Sequence, residues 1–174
     1  MAISLYDLSV GSFQQTLGAV AGFLQRGADH CKDKGLDPQT LVATRLYDDM
    51  LPFAFQIVSV SHHSAGALDG AKAGAFGPPG QLGDLDYPAL QKLVTDSQSR
   101  LAAWTPDAVN ALEGKDVTFA IGANFKLPFT AENFLMSFSM PNFFFHATTA
   151  YDILRQAGVP LGKRDFMGAV RTKS

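Results

Sequence analysis

The sequence has a single cysteine, few charged residues and no long uninterrupted apolar run. Cys31 stands alone, which excludes an intrachain disulfide and a zinc site built from several thiolates. Only 17% of the residues are charged, against about 25% in an average domain, and the formal net charge is −2. There is no basic face, and no stretch reaches the roughly 18 consecutive apolar residues of a membrane span. The composition therefore predicts no nucleic-acid partner and no membrane insertion.

Several short catalytic motifs are missing as well. The chain has no P-loop, no dinucleotide-binding glycine fingerprint, no Gly-x-Ser-x-Gly elbow and no His-Glu-x-x-His pair. Its start lacks the basic and apolar regions of a secretory signal. Hydrophobic residues are abundant, at 47% of 174 residues. Length and composition predict one soluble, cytoplasmic domain over residues 1–174, which can bury a core without disulfide or metal.

Hydrophobic periodicity predicts four long helices arranged as an up-down bundle. The predicted spans are residues 5–34, 39–73, 87–104 and 131–156. Gly35 supplies a stop signal after the first helix, and Gly158 ends the fourth before a tail. Pro52 and Pro141 fall inside the second and fourth helices, and we expect each to bend its helix without dividing it.

The segments between these helices predict a loop and a hairpin. Residues 70–83, with Pro78 and Pro79 in the middle, are typical of a loop. Between Gly114 and Pro128 the pattern changes to a short strand at residues 117–119, a turn at residues 122–124 and a return at Phe125. The predicted fold class is therefore all-α, with a small β-hairpin before the last helix.

Histidine is the residue type most able to support chemistry in this chain. His146 lies on the apolar face of the fourth helix, one turn after Asn142, which could be its hydrogen-bond partner. Three interpretations of His146 remain open: a buried imidazole satisfied by a neighbour, a metal ligand, or a contact for proton transfer or substrate. His63 lies on the second helix, whereas His62 projects about 100° away and is expected to be solvated.

The polar residues near His63 recur at spacings of three, four and seven. This stripe consists of Arg45, Asp49, Gln56, Ser59 and His63. It borders the apolar face of the helix and could line a pocket, although a partly buried helix-edge network is an equally open interpretation.

Phe143-Phe144-Phe145 raises the question of an interface. Helical geometry places Phe144 opposite the apolar stripe, near Tyr151. An exposed ring at this position would indicate a dimer face, whereas burial under the predicted hairpin would explain it equally well.

The chain resembles an uncharacterised family of the DinB/YfiT-like superfamily. Residues 141–146, Pro-Asn-Phe-Phe-Phe-His, and the following residues 148–155 are similar to its signature helix. The tail at residues 158–166 and the stretch from Leu51 to Gly66 also match. The resemblance covers nearly the whole chain and implies a four-helix bundle that is often a homodimer.

The same resemblance implies a metal site and an activity. Better-understood members hold a divalent metal with one histidine from helix two and two histidines spaced four apart on helix four. They are associated with thiol transfer and hydrolysis. His63 matches the first ligand and His146 the second, but the third falls on Ala150, which has no donor. Asp49, Gln56 or Asn142 would have to complete the set around a Zn or Ni ion.

Two functions remain as alternatives. One is a metal-dependent enzyme of the thiol-transferase or hydrolase type that uses His63 and His146, with Asp49 as third ligand or base. The other is a non-catalytic or vestigial-site, stress-associated protein that binds a small ligand, which the missing donor at Ala150 favours. Its pocket would be lined by Gln56, Asn142, Thr149 and Ala150.

Overall fold

A computed structural model describes residues 3–80 and 83–173 of the chain. Of the predicted loop at residues 70–83, residues 81 and 82 lie outside this described part, as do the first two residues of the chain and the last. The helices are α1 (Leu5–Lys34), α2 (Gln39–Val42), α3 (Phe53–Ser61), α4 (Ala67–Ala73), α5 (Tyr87–Ala102), α6 (Pro106–Asn110), α7 (Ala131–Asn133), α8 (Met140–Gln156) and α9 (Lys163–Met167). The strands are β1 (Ala75–Phe76), β2 (Asp116–Ile121) and β3 (Phe125–Thr130). A first π-helical segment, His62–Gly66, joins α3 to α4, and a second, Phe134–Ser139, joins α7 to α8.

The long helices form the predicted bundle. Helix α1 packs against α5 and α8, and α3 packs against the same two helices. In the core between them, the rings of Phe13 and Phe143 meet edge to face with centroids 4.9 Å apart, and Phe53 stacks on Tyr87 at 6.1 Å. The mainly helical prediction is confirmed. None of the helices in the described residues is both long and apolar enough to cross a membrane.

The small sheet has one strand more than predicted. Strands β2 and β3 form the predicted antiparallel hairpin, with Ile121 opposite Phe125 beside the turn. Strand β1 pairs in parallel with β2, with Phe76 opposite Phe119. The expectation of a plain hairpin, with a loop at residues 70–83, is thus corrected to a three-stranded mixed sheet. A two-residue strand has no periodic pattern, so its pairing depends on a distant segment and not on local sequence.

Gly70 allows β1 to fold back closely against α4. A Cβ atom at this position would lie 2.6 Å from Cδ2 of Phe76 and 3.2 Å from the carbonyl oxygen of Ala75. We expect Gly70→Ala to lower the free energy of unfolding by roughly 1–3 kcal/mol, because β1 must move away. Urea denaturation measures this, with Gly18→Ala as the control, since its added carbon comes no closer than 4.0 Å to Gln98. Equal stability of the two variants would contradict this role of Gly70.

Pro52 begins a helix instead of bending one. The predicted helix at residues 39–73 is divided, because α2 ends at Val42 and α3 begins at Phe53. Pro52 is extended, with φ −69° and ψ 168°, and is the N-cap residue of α3. Proline disfavours a helical conformation at the preceding residue, and its missing N–H is not needed at a helix start. Asp49 therefore lies in a loop and not on a helical stripe.

Pro141 lies inside a continuous helical stretch, as predicted. The second π-helical segment ends two residues before it, at Ser139. A proline ring clashes with the carbonyl four residues earlier in a regular helix, and the wider π-helical turn relieves that clash. The structure thus has a π-helical segment just before Pro141, and the bend of the helix axis stays a prediction.

The residues after Gly158 are more ordered than the predicted tail. Helix α9 forms there and packs along α1. The Gln15 side-chain amide donates to the carbonyl oxygen of Met167 at 2.9 Å, and Arg171 donates to the carbonyl oxygen of Asp7 at 3.2 Å. Hydrogen bonds from side chains to distant backbone carbonyls therefore hold this segment against α1. No local sequence pattern indicates such contacts.

Candidate functional site

The two π-helical segments bring the predicted histidines together. His63 belongs to the first segment and Ser139 ends the second, and Nδ1 of His63 lies 3.3 Å from Oγ of Ser139. The ring of His146, on α8, lies nearly parallel to that of His63, with centroids 6.1 Å apart and 14° between the planes. π-Helical turns are frequent at functional sites. The two histidines that the sequence singled out thus form one cluster.

Gln56 is the hydrogen-bond partner of His146. Its Oε1 atom lies 2.8 Å from Nδ1 of His146, and its Nε2 atom donates to the carbonyl oxygen of Leu51 at 2.8 Å. Asn142 instead donates to the carbonyl oxygen of Phe138 on its own helix, also at 2.8 Å. The predicted partnership of Asn142 with His146 is therefore wrong, because the Asn142 amide bonds to the turn of helix that precedes it.

The other predicted site residues are not joined to the imidazoles by hydrogen bonds. Asp49 is exposed in the loop between α2 and α3. Thr149 donates to the carbonyl oxygen of Phe145, and Ala150 is fully buried. Within residues 3–80 and 83–173, no three His, Cys, Asp or Glu side chains are grouped so that they could hold a metal ion. The donor set therefore does not fit the three-ligand centre that the resemblance implies.

His62 is half-buried and not solvated as predicted. Its Nε2 atom donates to the carbonyl oxygen of Gly77 at 2.7 Å, and its ring stacks on that of Phe76 with centroids 4.3 Å apart. Burial lowers the pKa of His62, against the opposing effect of the hydrogen bond to Gly77. The unpredicted strand β1 accounts for the difference, because it carries Phe76 over this imidazole.

Burial keeps the paired imidazoles uncharged. It lowers the pKa of His146 to about 4. It also lowers the pKa of His63 to about 3, and the charges that His62 and His146 would carry act in the same direction. Both rings are therefore neutral near pH 7, and a neutral imidazole has one nitrogen that accepts.

Phenyl rings surround the pair. The centroids of Phe76 and Phe138 lie 5.5 and 5.9 Å from that of His63. Phe55 and Phe145 meet His146 edge to face at 5.8 and 5.3 Å. Neutral imidazoles and phenyl edges together make an apolar surface with few polar points.

The Nε2 atoms are the second nitrogens of the paired imidazoles. Among the described residues, Nε2 of His63 and of His146 has no hydrogen-bond partner, and Oγ1 of Thr130 is the sole fully buried side-chain polar atom without one. These two atoms are therefore the free hydrogen-bonding positions of the paired imidazoles within the part of the chain that the structure describes. A surface cavity of about 370 Å³ is separate from this cluster, and it is lined by residues of α3, of α5 and of the loop before α5, among them Val58, Leu93 and Leu85.

The run of three phenylalanines is arranged differently from the prediction. Phe143 is fully buried, and Phe144, which was expected opposite the core, is half-buried and packs against Phe143 at 5.4 Å. Phe145, the last residue of the run, is 58% exposed. The exposed ring is thus the one beside His146.

Sequence reasoning missed Ser139, Phe55 and Phe76 as neighbours of the histidines. Phe55 precedes Gln56 directly, so its place near the site could have been inferred from the helix. Phe76 lies in a glycine- and proline-rich segment, where nothing local indicates a strand. Ser139 becomes a neighbour because it ends the second π-helical segment, which has no recognised sequence signal.

Comparison with known proteins agrees with this architecture. A family model described as "Domain of unknown function (DUF1993)" matches residues 5–167. The chain is similar to the crystal structure of a DinB family member from Shewanella denitrificans, with a TM-score of 0.79 and 24% sequence identity. The similarity covers 98% of this chain and 95% of that one, and at this identity it shows the fold alone. No curated protein matches the chain.

Proposed function

The chain belongs to the DUF1993 family, a domain of unknown function, and we propose that it binds a small, neutral, largely apolar molecule at the imidazoles of His63 and His146. The observation that carries the proposal is the imidazole pair itself. The rings are nearly parallel, their centroids are 6.1 Å apart, and burial lowers both pKa values well below neutrality. Ligand sites of this kind combine an apolar wall with a few polar groups.

The charge state of the site limits the ligand. Neither imidazole is protonated near pH 7, so an anion would lose its water without meeting a positive charge. The edges of Phe55, Phe138 and Phe145 favour an apolar body by dispersion and burial. A neutral molecule with one polar group, placed at an open Nε2 atom, satisfies both conditions.

The alternative function is metal-dependent thiol transfer or hydrolysis. Catalytic zinc sites usually combine three protein ligands with a water molecule. Ala150 is a buried methyl group and Asp49 is exposed in a loop. Oε1 of Gln56 already faces Nδ1 of His146. We therefore assign no catalytic step to a metal and retain this function only as an outcome of the test below.

We expect 4-methylphenol, used as a neutral probe, to perturb the ring resonances of His63 and His146 in NMR titrations. Benzoate is of similar size but negatively charged. It should bind at least tenfold more weakly, because neither imidazole carries a positive charge to pair with its carboxylate. His146→Ala should weaken 4-methylphenol binding at least tenfold, whereas the control variant His30→Ala, outside the cluster, should not. Absence of 4-methylphenol binding, or a preference for benzoate, would contradict the proposal.

The metal alternative has a separate readout. Zn²⁺ and Ni²⁺ are titrated into the protein and into His63→Ala and His146→Ala variants by calorimetry. Stoichiometric binding that both variants abolish would favour the metal-dependent function over the one we propose. We expect the wild-type protein to release no more heat on metal addition than the two variants do.

A further inference from the structure

The hydrogen bonds that run from Leu51 through Gln56 to His146 determine which nitrogen of His146 carries its proton. The carbonyl oxygen of Leu51 can only accept, so the Gln56 atom 2.8 Å from it is the amide nitrogen, a donor. The amide oxygen of Gln56 therefore faces Nδ1 of His146 at 2.8 Å, and it too can only accept. In a neutral imidazole, Nδ1 must then be protonated, and Nε2 has the free lone pair.

The surroundings of Gln56 hold this orientation. Gln56 is 2% exposed, so its amide cannot exchange these partners for water. Leu51 precedes the N-cap residue Pro52, and its carbonyl oxygen is outside the regular hydrogen bonding of α3. An inverted amide would place the NH₂ group against Nδ1 and the oxygen against the Leu51 carbonyl, which leaves two acceptors in contact.

His63 provides an internal contrast. Its Nδ1 atom lies 3.3 Å from the hydroxyl oxygen of Ser139, and a hydroxyl group can donate or accept. The hydrogen bond to Ser139 therefore does not select a tautomer of His63. Of the two paired imidazoles, His146 alone has its tautomer determined by a partner that can only accept.

We propose that Gln56 is the positioning residue of the site, which holds His146 as the Nδ1–H tautomer so that Nε2 meets a ligand as a hydrogen-bond acceptor. The ligand class follows from this geometry. Apolar molecules that carry an O–H or N–H donor are bound in preference to ethers of the same shape, which only accept. The ligand preference rests on the proposed function, whereas the tautomer is a property of the ligand-free protein.

The tautomer is measured by two-bond ¹H–¹⁵N correlation NMR on the ligand-free protein at pH 7. We expect the Nδ1–H pattern for His146 in the wild type. Gln56→Met, of similar length but without an acceptor, should move His146 toward the Nε2–H tautomer that an unconstrained histidine favours. Gln56→Glu keeps an acceptor and should keep Nδ1 protonated. An Nε2–H pattern in the wild type, or an unchanged pattern in a folded Gln56→Met variant, would overturn the proposal.

The ligand preference is measured with a matched pair of probes. Wild-type protein should bind 4-methylphenol at least tenfold more tightly than 4-methylanisole, which lacks the hydroxyl hydrogen. The preference should disappear in Gln56→Met. Equal affinity of both probes in the wild type would overturn the preference. If neither probe binds, the proposed function fails, and the tautomer measurement still decides the role of Gln56.

Discussion

Gly27→Ala is expected to destabilise the protein strongly, although alanine is the better helix former. Gly27 is buried in α1, and a Cβ atom there would lie 2.3 Å from the hydroxyl oxygen of Tyr87 and 3.4 Å from Cδ2 of Leu154. The Tyr87 side chain is 1% exposed, and its hydroxyl donates to the carbonyl oxygen of Leu24 at 2.8 Å. We expect a loss of roughly 2–4 kcal/mol in the free energy of unfolding, from overpacking and the disturbed hydrogen bond.

Two comparison variants separate this clash from a general effect of alanine in α1. A Cβ atom at Gly22 meets nothing within 4 Å. Gly22→Ala should therefore raise the free energy of unfolding by about 0.5–1 kcal/mol. In the Gly27→Ala background, Tyr87→Phe should restore part of the lost stability, because it removes the obstructing oxygen. Chemical denaturation measures all of these variants, and equal effects at Gly22 and Gly27 would refute the explanation.

Stability is expected to fall steeply as the pH decreases below about 6.5, because the buried His63 and the half-buried His146 are uncharged in the folded protein. Their pKa values are lowered from 6.5 to about 3 and about 4 in the folded protein. At a pH between the unfolded and the folded pKa value of a histidine, the unfolded chain binds a proton at that imidazole and the folded chain does not. The free energy of unfolding should therefore decrease with falling pH, by at most about 1.4 kcal/mol per pH unit for each histidine.

The effect of acid on stability is confined to a defined pH range and can be tested with a matched variant. The contribution of His146 should level off near pH 4 and that of His63 near pH 3. Because His146 is only half-buried, we expect its slope to stay below the maximum. Denaturation of wild-type protein and of the His63→Gln/His146→Gln variant is compared between pH 7 and pH 4.5, so that carboxylate titration cancels in the difference. Parallel curves would show that these imidazoles do not govern the acid response.

Both predictions depend on features that sequence reasoning reached only in part. Periodicity placed α1, α5 and α8 well, and Gly35 ends α1 in the left-handed conformation, with φ 65°, as predicted. Close approach of Tyr87 to Gly27 was not predictable, because it depends on how α5 packs on α1. The prediction that Pro52 bends a helix was wrong. A proline can bend a helix or begin one, and the packing of the loop before Pro52 decides which of the two occurs.

The candidate site was also predicted only in part. His63 and His146 were selected from their types and positions, together with the family resemblance, and the structure places them in one cluster. Their low pKa values could not be inferred, because burial depends on Phe76 and on the helices around them. The partner of His146 was predicted to be Asn142, four residues away, whereas it is Gln56, 90 residues away.

The sequence by itself determined helices α1, α5 and α8, the β2–β3 hairpin and the pair of candidate histidines. The helices and the hairpin follow from side-chain periodicity and from the backbone preferences of glycine and proline, which act over a few residues. The histidines follow from their residue type, their positions and the family resemblance. Only the tertiary structure decided that β1 joins the sheet, that Phe76 covers His62 and that Gln56 orients His146. Each of these is a contact between distant segments, and its free energy comes from packing and burial, which no local pattern encodes.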